Sequence, residues 1–212
     1  MNCIRKYFPD LTPAQVSLLQ QLEPLYRSWN ERLNLISRKD IDRLYERHVL
    51  HSLAIARVAQ FADGAKMLDA GTGGGFPGIP LSIVLPQCRF TLVDSVGKKV
   101  AAVREIASAL RLQNVQVVQA RAEEILQKFD FVVSRAVADL PTFTGWVWDK
   151  ITPGGQSSIP NGILYLKGGD LAEELKGVRQ KTSVIAISDF FDEAFFETKK
   201  IVHVKHPPKT KS

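Results

Sequence analysis

The 212-residue chain predicts a doubly wound α/β fold: a mostly parallel sheet, closed by two antiparallel strands, behind an N-terminal helical cap. Three observations carry this. From Lys66 onward, short apolar runs alternate with amphipathic segments, the pattern of successive βα units. The first of those runs ends in a glycine-rich turn that leads directly into a helical pattern. Ahead of Lys66, apolar residues recur only at the three- and four-residue spacing of helices.

Thr12-Pro13-Ala14-Gln15 starts the first helix with an N-cap hydroxyl, a proline at the first helical position and a glutamine three residues after the cap. Val16, Leu18, Leu19, Leu22, Leu25, Tyr26 and Trp29 follow at roughly helical spacing, and Pro24 is expected to kink or interrupt the helix. A second helix is expected over about 40–60, and Asp63-Gly64 closes the cap, set at 1–62. Strands are expected at 66–70, 89–94, 114–119, 129–134 and 163–167. Helices are expected at about 78–85, 98–112, 122–127, 140–151 and 169–177. Segments at about 183–187 and 197–204 alternate like antiparallel strands and bring the sheet to seven. The second domain thus runs over 63–206, and a basic tail covers 207–212.

Apolar residues at 45% and charged residues at 24% are ordinary for a globular protein. A net charge of +6 and a pI of about 9.4 favour a polyanionic partner. Two distant cysteines, Cys3 and Cys88, are in no metal spacing, so a reducing compartment is expected and a metal site is not. There is no apolar run of 18 residues and no signal-peptide pattern, which predicts a cytoplasmic protein with no membrane partner.

The chemistry gathers at Leu68-Asp69-Ala70-Gly71-Thr72-Gly73-Gly74-Gly75-Phe76-Pro77-Gly78. Glycines reach positive φ at little cost and let a ligand approach the backbone. Two cofactor classes use such a turn. Gly73 to Gly78 satisfies the dinucleotide pattern, with Asp94 about 20 residues on. Asp69 to Gly75 matches the D-x-G-x-G-x-G loop that binds S-adenosylmethionine. The second reading fits better, because the strand ends before Gly71 and because it also accounts for Asp69.

Ligands of such sheets lie beyond the carboxyl ends of the strands. Asp94 ends the second strand and suits both ribose hydroxyls. Arg121-Ala122-Glu123-Glu124 follows the third, where an acid or a backbone N–H would read an adenine edge; the two glutamates serve equally well as first-turn helix acids. Arg135 ends the fourth strand, to steer a carboxylate or phosphate or to pair with Asp139. Lys167 ends the fifth. The slot after strand four lacks the Asn/Asp-Pro-Pro-aromatic loop of exocyclic-amine methylation, and no cysteine lies at a strand end. The acceptor is then one already nucleophilic, a ring nitrogen with a free lone pair or a small-molecule oxygen or nitrogen. For a ring nitrogen, alignment suffices and no general base is needed.

Asn34-Leu35-Ile36-Ser37, Arg47-His48, the glycine loop with its Phe76-Pro77-Gly78-Ile79-Pro80-Leu81 extension, Thr91-Leu92-Val93-Asp94-Ser95, Lys98-Lys99, Ser134-Arg135-Ala136 and Leu166-Lys167-Gly168 occur in that order. Together they resemble the small-subunit ribosomal RNA methyltransferase G family, over roughly residues 30–170. The resemblance implies a Rossmann-like methyltransferase fold and methyl transfer from S-adenosylmethionine to N7 of a guanine in the 530 loop of 16S rRNA, on naked RNA or the small ribosomal subunit; a monomer is expected. Carried over, Gly71 and Phe76 line the donor, Ala122 and Glu123 hold its adenine, and Arg135 closes the site, while Asp94 looks like the ribose acid from its place at the end of the second strand. Arg47, His48 and Lys167 are left to orient the RNA. One departure is His51, before Ser52, near where the family often has an acid. A small-molecule methyltransferase, an NAD-dependent oxidoreductase and a binding protein without turnover are the alternatives.

Overall fold

The computed structural model describes residues 1–207, so most of the basic tail expected at 207–212 lies outside the described residues. The chain forms β1 (Lys66–Ala70), β2 (Arg89–Asp94), β3 (Val115–Gln119), β4 (Phe131–Arg135), β5 (Gly162–Gly168), β6 (Thr182–Ala186) and β7 (Lys199–Lys205). They make one sheet in the order β3-β2-β1-β4-β5-β7-β6. The first five are parallel, whereas β7 runs antiparallel between β5 and β6. The strand order reverses at β1 and β4, and this opens a crevice above their carboxyl ends.

Helices α1 (Asn2–Tyr7), α2 (Pro13–Asn30), α3 (His51–Val58), α4 (Gly78–Val84) and α5 (Gly97–Ala109) precede β3, and α6 (Leu140–Val147) and α7 (Ala172–Lys176) follow β4. Alternation along the strands sorts the core into two layers. On β5, Leu164 and Leu166 join the apolar cluster that holds Leu19, Leu22 and Leu53 of the N-terminal helices, whereas Ile163 and Tyr165 join Leu140 and Phe143 of α6. The N-terminal helices therefore share a core with the sheet face that carries Phe90 and Leu92. No helix of the described residues is long and apolar enough to cross a membrane.

Several elements differ from expectation. Pro24 does not interrupt α2, which runs unbroken through it. A proline leaves the carbonyl four residues back without its amide donor. Here that carbonyl, on Gln20, takes the Tyr45 hydroxyl at 3.3 Å, and the same hydroxyl lies 3.1 Å from the Leu19 carbonyl. The single helix expected over 40–60 is a composite of a 3-10 turn at Ile41–Arg43, a π-helical stretch at Tyr45–Leu50 and α3. Helix α1 has too few residues for a periodic signal and was not expected. The helix expected over 140–151 ends at Val147 and continues as a 3-10 turn, Trp148–Lys150, and the one expected over 122–127 is a single 3-10 turn, Ala122–Glu124.

Candidate active site

The glycine loop leaves β1 in the left-handed region, at φ +71° for Gly71, +57° for Gly73 and +91° for Gly75, which side-chain-bearing residues rarely adopt. Asp69, fully buried beneath it, clasps the loop. Its Oδ2 accepts the Thr72 hydroxyl at 2.5 Å and the Gly78 N–H at 2.8 Å, and its Oδ1 has no partner. Burial pushes this carboxyl up to about 7, against the pull of those two donors. From the other side, Tyr26 of α2 donates its hydroxyl to the Gly74 carbonyl at 2.7 Å and packs its ring 4.8 Å from Phe76. Asn30, the last residue of α2, accepts the N–H groups of Leu35 and Ile36 at 3.0 Å each, which lays that segment against Gly74.

The result is a cavity of about 430 Å³ above the ends of β1, β2 and β4. Gly71, Phe76, Asp94, Ala122, Glu123 and Arg135, all expected at the donor site, line it together. Asp94 anchors its own loop: Oδ2 accepts the Gly73 N–H at 2.9 Å and Oδ1 the Val96 N–H at 2.8 Å. Each carboxylate oxygen keeps a further lone pair for a ligand. The two glutamates that sequence left equal divide their work. Glu124 accepts the Arg121 N–H at 2.9 Å at the start of the 3-10 turn, and Glu123 lines the cavity. Buried Lys150 donates to the Glu123 carbonyl at 3.0 Å and fixes that turn. At the end of β4, Ala136 sits at φ +55°, and the Tyr165 hydroxyl receives the N–H groups of Val137 and Ala138 at 3.0 and 2.9 Å. The residues present fit S-adenosylmethionine, for which Asp94 would hold the ribose and Ala122 and Glu123 the adenine.

Arg135 does not pair with Asp139, which instead caps α6 through the Thr142 N–H at 2.9 Å. The guanidinium turns to the π-helical stretch, with Nη1 3.3 Å from the Arg47 carbonyl and Nη2 2.9 Å from Nδ1 of His48, and it lies 5.1 Å from the Phe76 ring centre. Burial draws it down to about 10, opposed by the nearby Asp69 carboxylate.

Arg135 and Ala136 also belong to a second cavity, of about 390 Å³, so the two spaces share a wall. Arg47, His48 and Lys167, expected to orient the RNA, all line the second one. Arg47 pairs with Asp40 at 2.5 Å. Lys167 pairs with Glu174 at 2.7 Å and donates to the Ala138 carbonyl at 3.1 Å. Burial, then the Arg135 charge, lowers His48 to about 3, and the same two causes hold His51 well below its usual value. Tyr26, His51, Tyr165 and Phe195 went unassigned from sequence. Tyr26 and Tyr165 read as core residues, and no spacing marks Phe195 as a cavity wall.

A doubly wound sheet closed by an antiparallel pair, a glycine loop after β1 and a carboxylate at the end of β2 define the class, an S-adenosylmethionine-dependent methyltransferase. The family model described as rRNA small subunit methyltransferase G matches residues 15–202, and the chain belongs to that family. It is 54% identical over 204 residues to the ribosomal RNA small subunit methyltransferase G of Flavobacterium psychrophilum, covering 96% of this chain and 97% of that one. It is 53% identical over 203 residues to the protein of the same name from Bacteroides thetaiotaomicron, covering 96% and 98%. Among solved structures, a SAM-dependent methyltransferase from Aquifex aeolicus superposes with a TM-score of 0.56 at 14% identity, over 79% of this chain and 98% of that one, a likeness of fold.

Proposed function

We propose that this protein methylates N7 of a guanine in the 530 loop of 16S rRNA, with S-adenosylmethionine as the donor. The observation that carries the reading is the shared wall. A cavity suited to the donor meets, at Arg135, a second one lined by Arg47 and Lys167, each paired with a carboxylate (Asp40 and Glu174), and by Lys199 and the Phe195 ring, a setting for a polar, aromatic acceptor. The relatives' name supplies the ribosomal RNA of the small subunit.

When bound, S-adenosylmethionine supplies a methyl group on a positively charged sulfur. Guanine N7 holds a free lone pair at neutral pH, so no residue has to take a proton from the acceptor. The imidazoles nearest the shared wall suit this, because both are neutral and flanked by cations. What remains for the chain is placement, which can supply much of a rate enhancement by itself. Asp94, Ala122 and Glu123 fix the donor's nucleoside, and Arg135 spans donor and acceptor spaces. Arg47, His48 and Lys167 orient the RNA.

The test is methyl transfer from radiolabelled S-adenosylmethionine to small ribosomal subunits lacking the mark and, separately, to protein-free 16S RNA, followed by mapping of the modified base. Label at a 530-loop guanine N7 is the expected result. Donor binding without label on either RNA form would replace this reading with a small-molecule acceptor. Failure to bind the donor would return the glycine loop to the dinucleotide class.

A further inference from the structure

Part of one face of the sheet is left without a covering helix by the described residues. In a run of βα units each strand is followed by a helix that packs on the sheet. Residues 120–130, between β3 and β4, form only the 3-10 turn Ala122–Glu124. Helix α6 covers this side nearer the carboxyl ends, where Leu68, Val93 and Val132 share its apolar layer. Alternation puts Lys66 on the face of Leu68, and Arg89 and Thr91 on the face of Val93. At the amino ends of β1, β2 and β3 these residues line an open groove of about 840 Å³, against about 430 Å³ for the donor cavity. Thr91 is only half-buried although β2 has a strand on either side.

The groove is lined by cations and amides and by no carboxylate. Lys66, Arg89 and Lys128 face it, with the exposed amides of Gln87, Gln116 and Gln127. Lys66 and Arg89 begin β1 and β2 and stand directly opposite each other in the parallel register. Like charges so placed repel. Among the described residues none of the three cations has an ion pair. Lys128 donates to the Asp149 carbonyl, which leaves its charge uncancelled. Asp63 and Asp130 belong to a neighbouring cavity, where Asp130 accepts the Lys66 N–H at 2.9 Å and the Asn161 amide at 3.2 Å. Two cations kept side by side, with no acid between them, are stabilised by an anion from outside.

A run of phosphates suits this chemistry. Contacts to a nucleic-acid backbone come from Lys and Arg on phosphate oxygens and from side-chain amides on phosphate and sugar. The groove and the donor cavity lie at opposite ends of β1 and β2, which are five and six residues long, and so stand about 15 Å apart. A small-molecule acceptor does not span that distance, whereas a folded RNA presents phosphates there while its target base is in the site.

We propose that this groove docks a stretch of the substrate RNA's sugar–phosphate backbone remote from the methylated base. This rests on the RNA substrate of the reading above. The groove supplies affinity that is blind to base sequence and sensitive to salt, and it leaves methyl transfer to the cavities at the carboxyl ends.

The experiment neutralises the three cations together, as Lys66→Gln, Arg89→Gln and Lys128→Gln. Its control loses the same charge elsewhere, as Arg5→Gln, Arg179→Gln and Lys181→Gln; all six side chains are exposed. The Kd for small ribosomal subunits is measured against salt concentration, together with kcat, KM, the Kd for S-adenosylmethionine and Tm. The groove variant should bind subunits roughly 10- to 100-fold more weakly at about 0.1 M salt, and its log–log salt slope should shrink by about one per cation. KM should rise in step while kcat and the donor Kd stay within about twofold, because the lost contacts serve ground state and transition state equally. Its Tm should hold or rise, since the repulsion between Lys66 and Arg89 is gone. Subunit binding at the wild-type Kd and slope, or a loss no greater than the control's, overturns the proposal. A benzophenone photo-crosslinker placed at Gln116 reads the occupant directly. Adducts with 16S RNA are expected; their absence, or adducts confined to a ribosomal protein, overturns the proposal. Should the triple variant not fold, Arg89→Gln alone decides in the same way, with a slope smaller by about one. A wild type that neither binds nor labels subunits defeats the RNA reading instead, which separates the two failures.

Discussion

Arg135 is the side chain on which the site turns, because it touches both cavities and holds the π-helical stretch through Arg47 and His48. Arg135→Ala should cut methyl transfer by about 100-fold or more, while the protein remains folded with a somewhat lower Tm, since two acceptors lose their donor. Transfer at the wild-type rate would remove Arg135 from the site. At this scale sequence reading singled out Asp94 and Arg135, because each stands where an apolar run gives way to a charge, and both line the first cavity, whereas Glu123 came only with the family resemblance. It left Glu123 and Glu124 equal, since only the Arg121 N–H, claimed by Glu124, tells them apart. It gave His51 no role, because only the packed chain brings that residue to the second cavity.

Among the elements, α2 reaches furthest beyond itself. Its Tyr26 hydroxyl is the buried partner of the Gly74 carbonyl, so Tyr26→Phe should destabilise the fold by about 1–3 kcal/mol and loosen the glycine loop. Donor binding, followed by calorimetry, should weaken several-fold, and an unchanged Kd would confine Tyr26 to packing. At Pro24 the Tyr45 hydroxyl, from the π-helical stretch, lies over the Gln20 carbonyl that the proline leaves without a donor and over that of Leu19. Tyr45→Phe should therefore cost about 1 kcal/mol, and less in a Pro24→Ala background, where the restored amide takes over that carbonyl. Equal losses in both backgrounds, measured by denaturant unfolding, would show the hydroxyl to be incidental. Sequence rhythm located all seven strands within a residue or two but read 40–60 as one plain helix. Over six residues, Tyr45–Leu50, the apolar spacing of a π-helical stretch is indistinguishable from that of an α-helix.

For the molecule as a whole, three histidines set the response to acid. His48 is lowered to about 3 by burial and the Arg135 charge, His203 to about 4 by burial despite its bond to the Pro160 carbonyl, and His51 lies well below its usual value for the same reason as His48. In the unfolded chain each titrates near 6.5. Between about pH 4 and 6.5 the unfolded state thus binds up to three protons that the folded state refuses, and stability rises with pH. Asp69 acts oppositely: with a folded value of about 7 against 3.8, its carboxyl holds a proton in the fold that the unfolded chain has released. Stability from this group falls as pH climbs through the same window. Three protons against one leaves a net gain with pH, at most about 3 kcal/mol per unit. The Tm should climb from pH 4.5 to about 6.5 and then level, and Asp69→Asn should steepen the climb by removing the opposing group. His203→Gln, whose amide can still donate to Pro160, should make it shallower. A Tm that is flat or falling over that interval would mean that the buried imidazoles take up protons within the fold, and the cavity wall between donor and acceptor would then be charged rather than neutral.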